Sequence, residues 1–304
     1  MLEEEMQKAF LSIVIPTYNR RDLLKRLFES IVEQDYFVEV VVVDDGSTDG
    51  TRELCNNYFG DKIKLVYMWQ ENSGRAHALK KGILMATGQY TILMDSDDFF
   101  THGALHIIAS SIQKMESLKD TGKPLTCLVF GVEITSGQKH FANIPPASMT
   151  NFTALRADHG VKLDLKEVVR TDVIQANIFS ADKTCRRVPT GLLWSKIAEN
   201  NQCLAIPHPV AVKEYLPGGM SDRILALKVQ NPVPLVELYA LLSESKAYTS
   251  RSYRWRSRLL WARYAHHANM MIFLKWWHAL VWLPGLVLYC NDVLKLVISS
   301  HKIK

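Results

Sequence analysis

The sequence predicts an α/β fold, a mostly parallel sheet with flanking helices, followed by a basic, aromatic, helical C-terminal tail. Three observations predict it. Short apolar runs rich in β-branched residues alternate with segments of helical spacing through the first 100 residues. A polar cluster follows each of the first four runs. Charge is also split along the chain: residues 251–304 hold nine Lys or Arg and one acid, Asp292, whereas the remainder holds 27 bases and 30 acids.

The elements follow in order. Leu11 to Pro16 is a buried strand, and residues 20–34 carry Leu23, Leu24, Leu27, Phe28 and Ile31 at helical spacing. Val38 to Val43 is a second strand, cut off by Asp44-Asp45-Gly46-Ser47, after which Thr48 or Asp49 can cap a helix running to about Phe59. Ile63 to Trp69 is a third strand. Asn72-Ser73-Gly74 turns into a helix from about Ala76 to Ala86, with Gly88 as a stop. Tyr90 to Met94 is a fourth strand, ending in Asp95-Ser96-Asp97-Asp98. Strands alternating with helices call for parallel pairing, and ligands of such sheets bind beyond the carboxyl ends of the strands, where all four clusters fall.

Composition narrows the class. A chain of 304 residues, 48% hydrophobic and 22% charged, can bury a core without disulfides. The cysteines, Cys55, Cys127, Cys185, Cys203 and Cys290, form no CxxC pair, so a zinc site or disulfide framework is not expected and a reducing cytoplasm is. The opening MLEEEMQKAF is acidic and does not read as a secretory signal. No GxGxxG follows the first strand and no GxxxxGK[ST] occurs, which disfavours dinucleotide oxidoreductases and P-loop NTPases.

The clusters carry chemistry. Asp95 and Asp97, two residues apart on a chain leaving a buried strand, can hold Mn²⁺ or Mg²⁺ through one or two oxygens while waters and phosphates fill the other positions. Asp45 can accept a hydrogen bond from a nucleobase N–H, or simply cap a turn. Tyr18 within Pro16-Thr17-Tyr18-Asn19 offers a ring for stacking, and Arg75 and His77 near a helix N-terminus can meet phosphate.

Together these residues resemble glycosyltransferase family 2, the inverting enzymes with the Rossmann-like GT-A fold. The resemblance lies in LSIVIPTYNR (11–20), VVVDDGSTDGT (41–51), QENSGRAHALKKGILMATGQY (70–90) and ILMDSDD (92–98). It implies a nucleotide-sugar donor, with a UDP-sugar the usual one. Pro16, Thr17, Tyr18, Asn19, Asp45, Gly74, Arg75, Asp95 and Ser96 would surround the nucleotide, and Asp95 and Asp97 the metal. Residues 1–125 would be the nucleotide-sugar half, 126–250 the acceptor half and 251–304 the tail. The family's catalytic carboxylate often opens a helix as a Glu-Asp pair; here Pro189 and Thr190 of RRVPTGLLWSKIAEN (186–200) stand in its place. Transfer to a hydroxyl needs a positioned base, so Asp182 is the nominated substitute, with Glu199, Glu214 and Asp222 behind it. Gly218-Gly219 and Arg223, in a stretch resembling the family's late glycine turn, can approach phosphate.

The tail interleaves Arg, Trp and Tyr, which suits the headgroup layer of an anionic membrane. Its apolar stretch Trp276 to Cys290 reads as too short to span, broken at Pro284-Gly285 and interrupted by Asn291-Asp292 and Lys295. No nucleic-acid motif accompanies it. The expected partners are a nucleotide-sugar, a saccharide or lipid-linked acceptor and an anionic membrane; the expected place is the cytoplasm, peripheral to the inner membrane face. A binding module that has lost catalysis, and a sugar-phosphate nucleotidyltransferase, are the competing readings.

Overall fold

The computed structural model describes residues 9–58, 62–118, 122–135, 139–140, 144–146, 148–162, 164–180, 185–214, 224–270 and 275–301. Strand β1 (Leu11–Thr17), helix α1 (Arg21–Val32), β2 (Val38–Asp44), α2 (Thr51–Asn56), β3 (Ile63–Trp69), α3 (Arg75–Met85) and β4 (Tyr90–Leu93) take the predicted order. Helix α2 is shorter than expected, and neither Thr48 nor Asp49 is its N-cap. Gly50, at φ 85°, occupies that position, while Asp49 accepts from Thr51 N–H and, at 2.8 Å, from Arg21 N–H.

The second half continues through β5 (Phe99–Phe100), α4 (Ala104–Ser117), β6 (Leu125–Ile134), β7 (Lys139–His140), β8 (Ser148–Thr150), α5 (Phe152–Ala157), β9 (Lys166–Arg170), α6 (Thr171–Ala176), α7 (Thr190–Asn200) and β10 (Gln202–Lys213). It ends in α8 (Ile224–Gln230), α9 (Val233–Glu244), α10 (Arg251–His267) and α11 (Trp276–His301).

All the strands join one sheet, ordered β3-β2-β1-β4-β9-β6-β10-β5, with β7 on β6 and β8 on β10. The strands β3, β2, β1 and β4 are mutually parallel, as predicted. Beyond them the sheet is mixed: β9 is inserted between β4 and β6 and runs against both, while β10 lies parallel to β6.

Alternation along each strand supplies two cores. Val14, Val41 and Val43 belong to a core shared with α3, α7 and α9; Ile13, Ile15, Val40 and Val42 belong to one shared with α1 and α4. Helix α3 sits close because Gly82 has no side chain: a Cβ there would lie 2.5 Å from Val14 Cγ1.

One charged group is buried under the sheet's end. Glu39 of β2 accepts from Ser12 Oγ at 2.5 Å, Thr87 N–H at 2.7 Å, Thr87 Oγ1 at 2.5 Å and Lys64 Nζ at 3.0 Å. Burial pushes its pKa up, but these donors outweigh it and hold the carboxyl at about 2.

The tail departs from expectation. No break occurs at Pro284: α11 is one helix, and Trp276–Ile298 is long and apolar enough to cross a membrane by length and composition. Three contacts with α10 explain the continuity. Gly285 lets the helices touch, since a Cβ there would come within 2.4 Å of Ala262 Cβ. Asp292, read as an interruption, instead points inward and pairs with Arg263, at 2.6 Å from Nε, and with His267 Nε2 at 3.0 Å. His266 Nε2 lies 3.0 Å from the Trp282 carbonyl, near the proline, where helical bonding is weakest. The outward side of α11 is apolar, with Leu283 and Val287 about 70% exposed.

Candidate active site

The loops at the carboxyl ends of β1–β4 are tied to one another. Asp45 N–H donates to the Thr17 carbonyl and Gln70 N–H to the Asp44 carbonyl, each at 2.9 Å. The buried Asp45 carboxylate accepts from Gln70 Nε2 at 2.6 Å and from the N–H groups of Ser73 and Gly74, both at 2.8 Å. It therefore shapes the 72–74 turn as well as facing the cavity. Gly74, at φ 95°, is required there, because a Cβ would lie 2.5 Å from the Arg186 carbonyl oxygen. Asp44, also buried, holds Ser47 N–H and Tyr67 Oη, both at 2.8 Å.

Pro16, Thr17, Tyr18, Asp45, Gly74, Arg75, Asp95 and Ser96 line a single cavity of about 310 Å³, joined by Arg20, Asn72, Ala78 and Arg186. Tyr18 is 49% exposed, with its ring open to a ligand, and Thr17 Oγ1 is buried with no hydrogen-bond partner. Asn19 is a correction: it does not line the cavity. Its carboxamide accepts from Thr48 N–H at 2.8 Å and its φ is 49°, so it fastens the first loop to the second. His77 does not line the cavity either.

The acidic cluster is held by cations. Arg75 donates to Asp95 Oδ1 through Nε at 3.0 Å and Nη2 at 2.5 Å. Burial acts to raise the Asp95 pKa, but the Arg75 guanidinium, with Lys166 and Lys213 behind it, holds it well below the carboxylate range. Arg20 Nη1 lies 2.8 Å from Asp97 Oδ2, and Asp98, fully buried, lies 2.6 Å from Lys166 Nζ.

These contacts leave Asp95 Oδ2 and Asp97 Oδ1 without a protein partner among the described residues. Among the described residues, no group of three or more His, Cys, Asp or Glu side chains is placed to hold a metal there. Two free carboxylate oxygens at the edge of the cavity fit a hard cation that draws its other ligands from water and phosphate. They do not fit a cation caged by protein alone.

A second cavity of about 330 Å³ opens on the other side of Arg75 and Asp95. It lies under α5, α7 and α9 and presents Trp194, Arg156, Asp164, Glu167 and Lys213. Thr190, at the first turn of α7, lines it where a carboxylate was expected from the resemblance. Burial pushes the Glu167 carboxyl up to about 7, against the opposing pull of Arg156 and Lys166.

Asp182, Asp222, Gly218, Gly219 and Arg223 lie outside the described residues. Of the other nominated bases, Glu199 accepts from Ser245 Oγ and Glu214 pairs with Arg26 Nη1 at 2.6 Å; neither lines the second cavity. Sequence reasoning missed Arg20 as the partner of Asp97, Arg186 as part of the first cavity, and Glu167 altogether. Arg20 and Arg186 stood inside quoted segments. Glu167 carried no motif signal, and only the alternation of KEVVR, which sends Lys166 and Glu167 to opposite sides of β9, pointed to it.

Residues 12–120 match the family model described as glycosyl transferase family 2. The chain is 34% identical over 98 residues to the GalNAc(5)-diNAcBac-PP-undecaprenol beta-1,3-glucosyltransferase of Campylobacter jejuni, a match covering 31% of this chain and 32% of that one. Against the first curated relatives, matches span between 16% and 37% of the relative's length. Among solved structures, S. aureus TarS 1-349 in complex with UDP-GlcNAc is similar at TM-score 0.63 and 19% identity, covering 93% of this chain and 81% of that one. The mannosyltransferase PcManGT from Pyrobaculum calidifontis, in complex with GDP-Man and Mn²⁺, is similar at TM-score 0.52 and 18% identity, covering 96% and 81%. The fold is that of these neighbours, GT-A.

Proposed function

We propose, starting from a chain whose residues 12–120 belong to glycosyl transferase family 2, that it moves a sugar from a nucleotide-sugar, a UDP-sugar first, to a saccharide or lipid-linked acceptor with inversion. The observation that carries this is the 310 Å³ cavity, whose wall Tyr18, Asp45, Arg75 and Ser96 share with Thr17, its hydroxyl unpartnered. A hydroxyl buried without a partner costs about 1–3 kcal/mol, and a bound ligand removes that cost. Tyr18 stacks on the base, Asp45 and Thr17 fix its polar edge, and Arg75 and Arg186 face the diphosphate.

Asp95 and Asp97 hold the divalent ion, Mn²⁺ or Mg²⁺. When bound, it supplies positive charge against the leaving diphosphate. The chain's own contribution is to pre-set those carboxylates through Arg75 and Arg20, so that few groups need to reorganise as charge develops.

Residues 1–125 form the donor half, 126–250 the acceptor half and 251–304 the membrane-facing tail. While Asp292 stays locked to α10, α11 cannot thread a bilayer without breaking that pair, so it lies along an anionic surface with its apolar side in the lipid. On this reading the acceptor site works at the cytoplasmic membrane face.

A donor screen tests the reading. UDP-GlcNAc, UDP-glucose, GDP-mannose and dTDP-glucose are added to the full chain with and without Mn²⁺, and melting is followed. One donor is expected to raise the melting temperature, more so with Mn²⁺. Asp97→Ala should remove the Mn²⁺ increment and lower transfer at least 100-fold while the apo melting temperature moves little. Absence of stabilisation by every donor sinks the reading. Stabilisation without turnover across acceptors favours the binding module, which the Thr190 substitution motivates.

A further inference from the structure

We propose that Glu167 is the catalytic base, taking the proton of the acceptor hydroxyl in the cavity beside the donor site. The inference rests on the glycosyl-transfer reading and adds the residue that reading lacks.

The two cavities share Arg75 and Asp95 as their common wall, so a sugar projecting from the donor diphosphate would meet a group seated in the second cavity there. That cavity carries three carboxylates. Asp95 is engaged by Arg75, and Asp164 lies 3.1 Å from Lys213 Nζ. Glu167 has no ion-pair partner within bonding distance among the described residues. Its position is fixed by a central strand paired on both sides, with Val168 and Val169 hydrogen-bonded in register to β4 and β6. A base on such a strand is held more firmly than one on a loop. Trp194, packed against Phe152 at 5.3 Å between ring centroids, offers a face on which a saccharide ring can rest.

The charged and titratable groups near Glu167 include Lys166 beside it on β9 and the Arg75–Asp95 pair on the shared wall. Arg156 on α5 and Lys213 on β10 are cationic, and Asp164, ahead of β9, is anionic. Tyr239 on α9, Tyr253 on α10 and Cys203 on β10 have their pKa values pushed up by burial and stay neutral near pH 7. Glu167, raised by burial to about 7, is matched to proton transfer at neutral pH.

The step balances. The acceptor O–H bond breaks and its proton passes to a Glu167 carboxylate oxygen. The acceptor oxygen forms a bond to the anomeric carbon as the bond to the diphosphate oxygen breaks, and that electron pair leaves with the nucleoside diphosphate.

The test uses the full chain and whichever donor of the screen releases nucleoside diphosphate fastest in the presence of Mn²⁺. Wild-type kcat should fall on the acid side with an apparent pKa near 7. Glu167→Gln should lower kcat at least 100-fold and abolish that limb, with donor Kd changed less than threefold. Glu167→Ala should regain at least tenfold of its lost rate in formate or azide, a response that structural damage does not produce. A Glu167→Gln kcat within threefold of wild type, or a Glu167→Ala variant that binds donor and is not rescued, overturns the proposal. A wild type that binds none of the donors overturns the transfer reading instead, and this proposal with it.

Discussion

At the scale of single residues, the site is organised by pairs whose members are far apart in sequence. Arg20 with Asp97, Arg75 with Asp95 and Lys166 with Asp98 each set a carboxylate before any ligand arrives. The motif residues were legible because each follows a strand end, where chemistry concentrates in such sheets. Arg75 was legible among their cationic partners, but Arg20 and Lys166 were not, because no spacing rule links Lys166 to Asp98 or Arg20 to Asp97. The sheet order does. Glu39 makes the same point for stability. Its pKa is depressed from 4.5 to about 2, so its contribution is fully present above pH 4.5 and is lost as the pH falls through about 2. Glu39→Gln is expected to cost about 3 kcal/mol at pH 7. Urea unfolding at pH 7, 5 and 3 should show the gap between wild type and variant narrowing towards acid. A gap that stays constant would mean the carboxylate is not stabilised by its donors.

At the scale of elements, β1–β4 were legible because strands buried on both faces read as continuous Val and Ile runs. Strand β9 was not: KEVVR opens with two opposite charges in the middle of a sheet, a pattern that pure periodicity assigns to a surface. The α10–α11 hairpin was misread for a related reason. Pro284, Gly285 and Asp292 break an isolated helix, but against α10 the glycine permits contact and the aspartate finds Arg263 and His267. Gly285→Ala should therefore destabilise, although alanine is the better helix former, by about 1–3 kcal/mol through overpacking. Thermal melting and limited proteolysis between α10 and α11 measure it. Unchanged stability would mean the helices are not in close contact.

At the scale of the whole molecule, one sheet carries both cavities, and the helices that roof the second continue into a hairpin whose outer side is apolar. The stretch from Trp276 to Ile298 extends about 33 Å at the helical rise. Flotation with vesicles of phosphatidylglycerol and phosphatidylethanolamine should carry the full chain upward. The double variant Leu283→Glu, Val287→Glu should reduce that fraction at least fivefold without changing donor affinity. Equal flotation of the two proteins would leave α11 with no part in lipid contact. Strand β9 has a consequence of its own. From adjacent positions it delivers the Lys166 ammonium to the buried Asp98 and the Glu167 carboxyl to the cavity, whose wall Lys166 also joins. Because side chains alternate, a one-residue slip of β9 against β4 and β6 would turn Lys166 away from Asp98 and Glu167 away from its place in the cavity wall. Two opposite charges at adjacent positions thus pin the register of β9 between its neighbours.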